Sequence, residues 1–158
     1  MKLIGIVGLK NAGKTTLTER LVAHLTAQGL TVSTLKHSHH LIDPDRPGTD
    51  SHRHRMAGAR QVILASDTRL TTFEELPAPE PLEAIVARLA PCDIVLAEGW
   101  KRGTHLRIEA WRSACAAPPL AVSDPSIAAV AADAPHGAAQ PRFDLDDIVG
   151  IAEFACSI

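Results

Sequence analysis

The sequence predicts an α/β fold built on a mainly parallel sheet, and three observations carry that prediction. An apolar run (Leu3, Ile4, Ile6, Val7) leads into Gly8-Leu9-Lys10-Asn11-Ala12-Gly13-Lys14-Thr15, which meets G-x-x-x-x-G-K-[ST] at every fixed position. A helical stretch with Leu17, Leu21 and Leu25 on one face follows. The segment from Leu30 to Leu35 then alternates apolar residues with Thr and Ser, as a strand does. Strand, helix and strand in this order form a βαβ unit, whose two strands run parallel with a right-handed connection.

The spacing between the first strand and the helix is that of a phosphate-binding loop, the Walker A motif. A triphosphate needs several backbone N–H donors converging on its oxygens, and glycines let the chain approach without a side chain in the way. Gly8, Asn11, Ala12, Gly13, Lys14, Thr15 and Thr16 are therefore the expected nucleotide-binding residues. Lys14 reaches the β- and γ-phosphates as a mobile point charge and is a candidate catalytic residue, and the Thr15 hydroxyl is a candidate Mg²⁺ ligand. The helix that follows aims its N-terminal dipole at the same anions. The expected architecture is a P-loop NTPase-like three-layer fold with a mainly parallel sheet and an edge hairpin.

Composition narrows the classes further. At 158 residues and 46% apolar content, the chain fits one P-loop nucleotide-binding domain over residues 1–158. A net charge of −2 gives no electrostatic reason to expect nucleic acid or an anionic membrane as a partner. Cys92, Cys115 and Cys156 are odd in number and lack C-x-x-C spacing, so neither a disulfide framework nor a thiolate zinc site is indicated. The chain enters a strand without a cleavable signal pattern, and no apolar run approaches the ~18 residues of a membrane span. A cytoplasmic location is expected.

The elements follow in order. The first helix runs to about Gln28, with Gly29 as its stop. Lys36-His37-Ser38-His39-His40 stands at the carboxyl end of the second strand, where α/β proteins hold ligands, so Lys36 and His37 are candidate cofactor-binding residues. Thr49 or Asp50 caps a short helix through about Ala59 that carries His52, Arg53, His54 and Arg55. With Arg46 and Arg60 this segment is locally basic and is expected to bind an anionic ligand. Gln61 to Ala65 and Arg69 to Phe73 read as a hairpin at one edge of the sheet. The stretch LPAPEP is a rigid connector to a helix from about Leu82 to Leu89.

Asp93-Ile94-Val95-Leu96-Ala97-Glu98-Gly99 reads as a buried strand with a carboxylate at each end. Only the carboxyl end faces a nucleotide, so Glu98 is the candidate catalytic and Mg²⁺-side acid; its alternative is a solvated strand-end carboxylate. Leu106 to Trp111, Leu120 to Val122 and Ile127 to Val130 read as further strands. Arg142-Phe143-Asp144-Leu145 leads to a last helix from about Asp146 to Cys156, with Asp144 as its cap and acidic residues in its first turn. Asp124, after the Leu120 to Val122 strand, is the candidate for base choice, since one carboxylate accepts from two adjacent N–H donors of a base. The alternative is an aspartate that caps the turn before Pro125.

Together these residues resemble the MobB family, GTP-binding adapter proteins of molybdopterin guanine dinucleotide biosynthesis. The resemblance covers nearly the whole chain. It rests on GLKNAGKTTL, on KHSHH followed by Asp45, Asp50 and Ser51 in D-x-x-G-x-D-S, on AGARQVILAS, LAEGWK, LAVSD and FDLDDI. It implies GTP with Mg²⁺, weak GTPase activity, a homodimer, and work with the molybdenum cofactor guanylyltransferase that attaches GMP to molybdopterin. It also places Asp50 among the cofactor-binding residues. Trp100 departs from the family's EGFK, where phenylalanine stands.

Two absences bear on mechanism. Asn11 is the only asparagine and Lys101 the last lysine, so no Asn-Lys-x-Asp guanine-reading motif exists. No D-x-x-G-Q follows the acidic strand, so no glutamine is placed to orient an attacking water, and slow hydrolysis is expected. Two rival readings stand beside the adapter. One is a small-metabolite kinase with Arg53, Arg55 and Arg60 as a phosphate clamp. The other is a metal-delivery GTPase using His37, His39, His40, His52 and His54.

Overall fold

The computed structural model describes residues 1–38 and 43–157. Packing divides the chain into two compact units, Met1–His37 with Arg88–Ile158, and Ser38–Ala87. His39 and His40 lie outside the described residues.

The first unit is a six-stranded sheet in which every pairing is parallel. Its strands are β1 (Lys2–Val7), β2 (Val32–Lys36), β5 (Ile94–Glu98), β6 (Leu106–Trp111), β7 (Ala129–Ala132) and β8 (Arg142–Asp144), in the order β2-β5-β1-β6-β7-β8. The βαβ expectation holds for direction, since β1 and β2 are both parallel to the strand between them. That strand is β5, which separates the two. β1 is thus central, with Ile6 paired to Glu98 on one side and Val7 paired to Glu109 on the other.

Alternation along the strands assigns two apolar faces. On one face Ile4, Ile6, Leu96 and Ile108 pack with Leu17, Leu21 and Leu25 of α1 (Lys14–Ala27) and Ile151 of α4 (Ile148–Ser157). On the other, Val7, Trp111, Val130 and Ala132 pack with Ala121 and Ile127. Helices on one face and an irregular segment on the other give the sheet its two covering layers.

Three expectations change here. Leu120–Val122 is a short 3-10 helix instead of a strand. Its first two N–H groups are taken by the Glu109 carboxylate, at 2.8 Å from both Leu120 N and Ala121 N, which fixes a turn where the sequence reads as extended. Arg142–Asp144 is a strand in its own right, too short and too close to Pro141 to carry a periodic signal. The last helix is capped by Asp147, whose Oδ1 accepts from Gly150 N at 3.0 Å, and its first turn holds no acid. Asp144 caps a turn one step earlier, accepting from Asp146 N.

The second unit contains α2 (Asp50–Met56), β3 (Gln61–Ala65), β4 (Leu70–Glu74) and α3 (Leu82–Val86). Thr49 is the N-cap of α2, with its side chain accepting from His52 N. The expected hairpin forms with Ala65 opposite Leu70, but as a two-stranded sheet of its own and not as an edge of the main sheet. Arg55 organises this unit. It donates to Asp43, Asp45 and Glu75 and lies over the Phe73 ring at 5.5 Å. Buried Asp45 accepts from Ser51 Oγ at 2.8 Å as well as from Arg55, which gives a structural account of the D-x-x-G-x-D-S run.

Candidate functional site

The loop between β1 and α1 follows the carboxyl end of the central strand. Gly8 has φ of 140°, and a Cβ there would stand 2.3 Å from the Ala110 carbonyl oxygen of β6, so only glycine lets the chain leave the sheet at this point. Asn11, at φ 63°, is the only residue with a side chain at positive φ among the described residues. Ala12 is fully buried, and Gly13 in the left-handed region opens α1. Asn11, Gly13, Lys14, Thr15, Thr16, Glu98 and Arg112 surround a cleft of about 400 Å³.

Lys14 Nζ donates to Leu9 O at 2.6 Å, which arches the ammonium over the loop. Burial pulls its pKa below the ordinary lysine value; Glu98 opposes this, and Lys101 and Lys36 add to it. A phosphate-binding lysine gains most in such a setting, because an anion restores the charge balance that neighbouring cations disturb.

Glu98 ends β5 and is nearly buried. Thr15 Oγ1 donates to its two oxygens at 3.0 and 3.2 Å, and Lys36 Nζ lies 3.3 Å from the same carboxylate. The structure therefore brings together Lys14, Thr15, Lys36 and Glu98 from three separate stretches of sequence. The carboxylate and hydroxyl oxygens are hard donors of the kind that hold Mg²⁺, beside a loop whose N–H groups can hold a phosphate, so the residues present fit that ion. His37 follows at once. Its N–H donates to Glu98 O at 2.9 Å, and its ring lies 5.1 Å from Trp100. Gly99, at φ 98°, passes so close to the His37 carbonyl that a Cβ would sit 2.9 Å from it, which explains glycine after Glu98.

Arg112 was not anticipated. It follows β6, and its Nε lies 3.1 Å from where a Cβ on Gly13 would stand, so its guanidinium lines the cleft with the loop. The only signal in the sequence is its place one residue after a strand at the sheet's carboxyl edge.

Other candidates lie elsewhere. Asp124 follows the 3-10 turn, not a strand, and its carboxylate accepts from Arg107 Nη1 at 3.1 Å, from Ser126 N at 3.0 Å and from Ser126 Oγ. Hydrogen bonds from Ser126, set against burial, and the adjacent Arg107 hold it below the usual aspartate range. Asp50 opens α2 in the second unit. Of the arginines offered as a phosphate clamp, Arg55 is spent on three carboxylates inside that unit, so the locally basic reading fails for it. Those bonds raise the Arg55 pKa, Asp43 contributing most, and lower that of Asp43.

Comparison with known proteins agrees with this geometry. Residues 3–133 match the family model described as MobB, molybdopterin guanine dinucleotide synthesis protein B. The chain is similar to the molybdopterin-guanine dinucleotide biosynthesis adapter protein of Haemophilus influenzae, 38% identical over 96% of this chain and 86% of the relative. The protein of the same description from Escherichia coli is 34% identical over 96% of this chain and 90% of its own length. A crystal structure of molybdopterin-guanine biosynthesis protein B superposes with a TM-score of 0.76 at 28% identity, covering 98% of this chain and 97% of that one.

Proposed function

The chain belongs to the MobB family and is an adapter protein of molybdopterin guanine dinucleotide biosynthesis, and we propose that it acts by binding GTP with Mg²⁺ in its P-loop and hydrolysing it slowly. One observation carries this reading: Lys14, Thr15 and Glu98 converge on the cleft at the carboxyl edge of β1 and β5.

In this reading the backbone N–H groups of Gly13, Lys14 and Thr15 cradle the phosphates, and Lys14 exchanges the Leu9 carbonyl for phosphate oxygens. Thr15 and Glu98 would hold the Mg²⁺, which would supply positive charge to offset that of the phosphates. Glu98 also accepts a hydrogen bond from a water beside the terminal phosphate. Lys36 screens the carboxylate and stands ready for γ-phosphate charge. The sequence supplies no glutamine in a D-x-x-G-Q setting, so turnover is slow and nucleotide state, not chemistry, is the signal.

The partner is the molybdenum cofactor guanylyltransferase with its molybdopterin substrate, in the cytoplasm. Among the described residues no helix is long and apolar enough to cross a membrane. The working form is a homodimer. What supports it is the β3–β4 hairpin, which exposes Ile63, Leu64 and Leu70, with Met56 of α2 also exposed; a two-stranded sheet is marginal alone and gains by pairing.

The test is turnover and partner binding together. An adapter hydrolyses GTP slowly with no acceptor present, and binds the guanylyltransferase more tightly in one nucleotide state than another. Fast nucleotide consumption that begins only when a small metabolite is added identifies a kinase instead.

A further inference from the structure

We propose that Asp133 is the residue that reads the guanine base. The inference rests on the nucleotide reading above and deepens it.

The loop fixes which way a nucleotide lies. Thr15, Glu98 and Lys36 meet on the β5 side of the loop, where in the nucleotide reading the metal and γ-phosphate would be held. The sugar and base therefore run the other way, across the carboxyl ends of β6 and β7, with Arg112 lining the cleft on that path. β7 is two strands from β1, which at ~4.8 Å per strand is about 10 Å across the edge, a reach suited to a base separated from the loop by the sugar and α-phosphate.

Trp111 pairs with Ala132, so the next residues, Arg112 and Asp133, leave the sheet side by side at that edge. Asp133 is exposed, and its Oδ1 accepts from Ser113 N at 2.7 Å. That bond ties the loop after β7 to the loop after β6 and orients the carboxylate. Each carboxylate oxygen accepts more than one hydrogen bond, so the pair retains capacity for guanine N1–H and the exocyclic amine.

The other acids on this side are committed or misplaced. Glu109 is fully buried against Leu120 N and Ala121 N. Asp124 is held by Arg107 and Ser126. Asp144 ends β8, one strand further from the loop, and accepts from Asp146 N. Adenine presents an acceptor at N1 and meets lone-pair repulsion at a carboxylate there, so the same group rejects ATP.

The experiment is titration of GTP, ATP and xanthosine triphosphate into the parent, Asp133→Asn and Asp144→Asn. Xanthine carries a carbonyl where guanine carries its amine, and an asparagine amide donates to that carbonyl while accepting N1–H. Asp133→Asn is expected to lose GTP affinity by about tenfold or more and to gain affinity for xanthosine triphosphate, while Asp144→Asn keeps the parent's preference. The gain requires a folded protein, so it separates base reading from misfolding. Equal weakening of all three nucleotides by Asp133→Asn, or an unchanged GTP-to-ATP ratio, overturns the proposal, as does a parent that binds GTP and ATP alike. A parent that binds no triphosphate overturns the nucleotide reading itself, and this proposal with it.

Discussion

Glu98 and Glu109 flank the central strand on opposite sides at nearly the same height, paired with Ile6 and Val7, yet they do different work. Glu98 faces a cleft and is held by side chains, the Thr15 hydroxyl and the Lys36 ammonium, which a metal or phosphate can recruit. Glu109 has no exposure and is held by two backbone N–H groups that have no other use. A buried acid is not evidence of chemistry by itself. The partners differ in kind: the side chains that hold Glu98 can be exchanged for a ligand, and the amides that hold Glu109 cannot.

The largest expected effect lies on the structural side. Glu109→Ala leaves the Leu120 and Ala121 N–H groups without their acceptor and opens a cavity, and should cost about 3 kcal/mol or more in a denaturant titration. Burial pushes the Glu109 pKa above the ordinary glutamate range, its two amide bonds opposing this. The folded state thus holds that proton more tightly than the unfolded chain. Its contribution to stability is greatest at low pH and falls as pH rises from the ordinary glutamate pKa toward the raised folded value. Glu109→Gln should remove that part of the pH dependence, and an unchanged profile would show that Glu109 does not titrate on folding.

Glu98→Gln should do the reverse. Folding stability and GTP affinity stay nearly as in the parent, while hydrolysis slows by on the order of tenfold to a hundredfold, because a carboxylate that positions water and Mg²⁺ matters more in the transition state. Equal turnover in variant and parent would leave Glu98 a structural carboxylate and erase the contrast with Glu109.

Asp124→Ala tests the boundary between the two kinds of carboxylate. Removing the acceptor from buried Arg107 should cost about 1 to 2 kcal/mol of stability and leave the GTP-to-ATP preference alone. A narrowed preference in equilibrium binding would restore Asp124 to base choice. Lys36→Ala is the smallest change: the Lys36 side chain is 59% exposed, so its pairing with Glu98 contributes well under about 1 kcal/mol to stability. Its effect should appear as a modest loss of GTP affinity that salt diminishes.

The same contrast explains what was legible in the sequence. The phosphate loop is contiguous, and its chemistry dictates glycines and a lysine at fixed spacing, so Gly8 to Thr16 could be read directly, as could the strand ending in Glu98. Leu106 to Trp111 was legible as a strand because apolar and polar residues alternate along it, although the polar Arg107 and Glu109 turn out to be buried as well. Leu120 to Val122 was not, since the acceptor that bends it, Glu109, lies 11 residues upstream on another element. Arg112 and Asp133 gave no signal beyond following a strand, because the register of β6 against β7 alone places them together. The Arg-rich segment around Arg55 misled for a related reason: its balancing carboxylates, Asp43, Asp45 and Glu75, are assembled only by folding.

The central claim, that this loop binds a triphosphate through Lys14, is tested most directly by calorimetric titration of GTP with Mg²⁺ into the parent and into Lys14→Ala at equal folded fraction. The account predicts saturable, Mg²⁺-dependent binding by the parent and a loss of at least about tenfold in the variant, with thermal stability unchanged, since Lys14 faces the cleft and not the core. GTP affinity that survives Lys14→Ala within about threefold would contradict it.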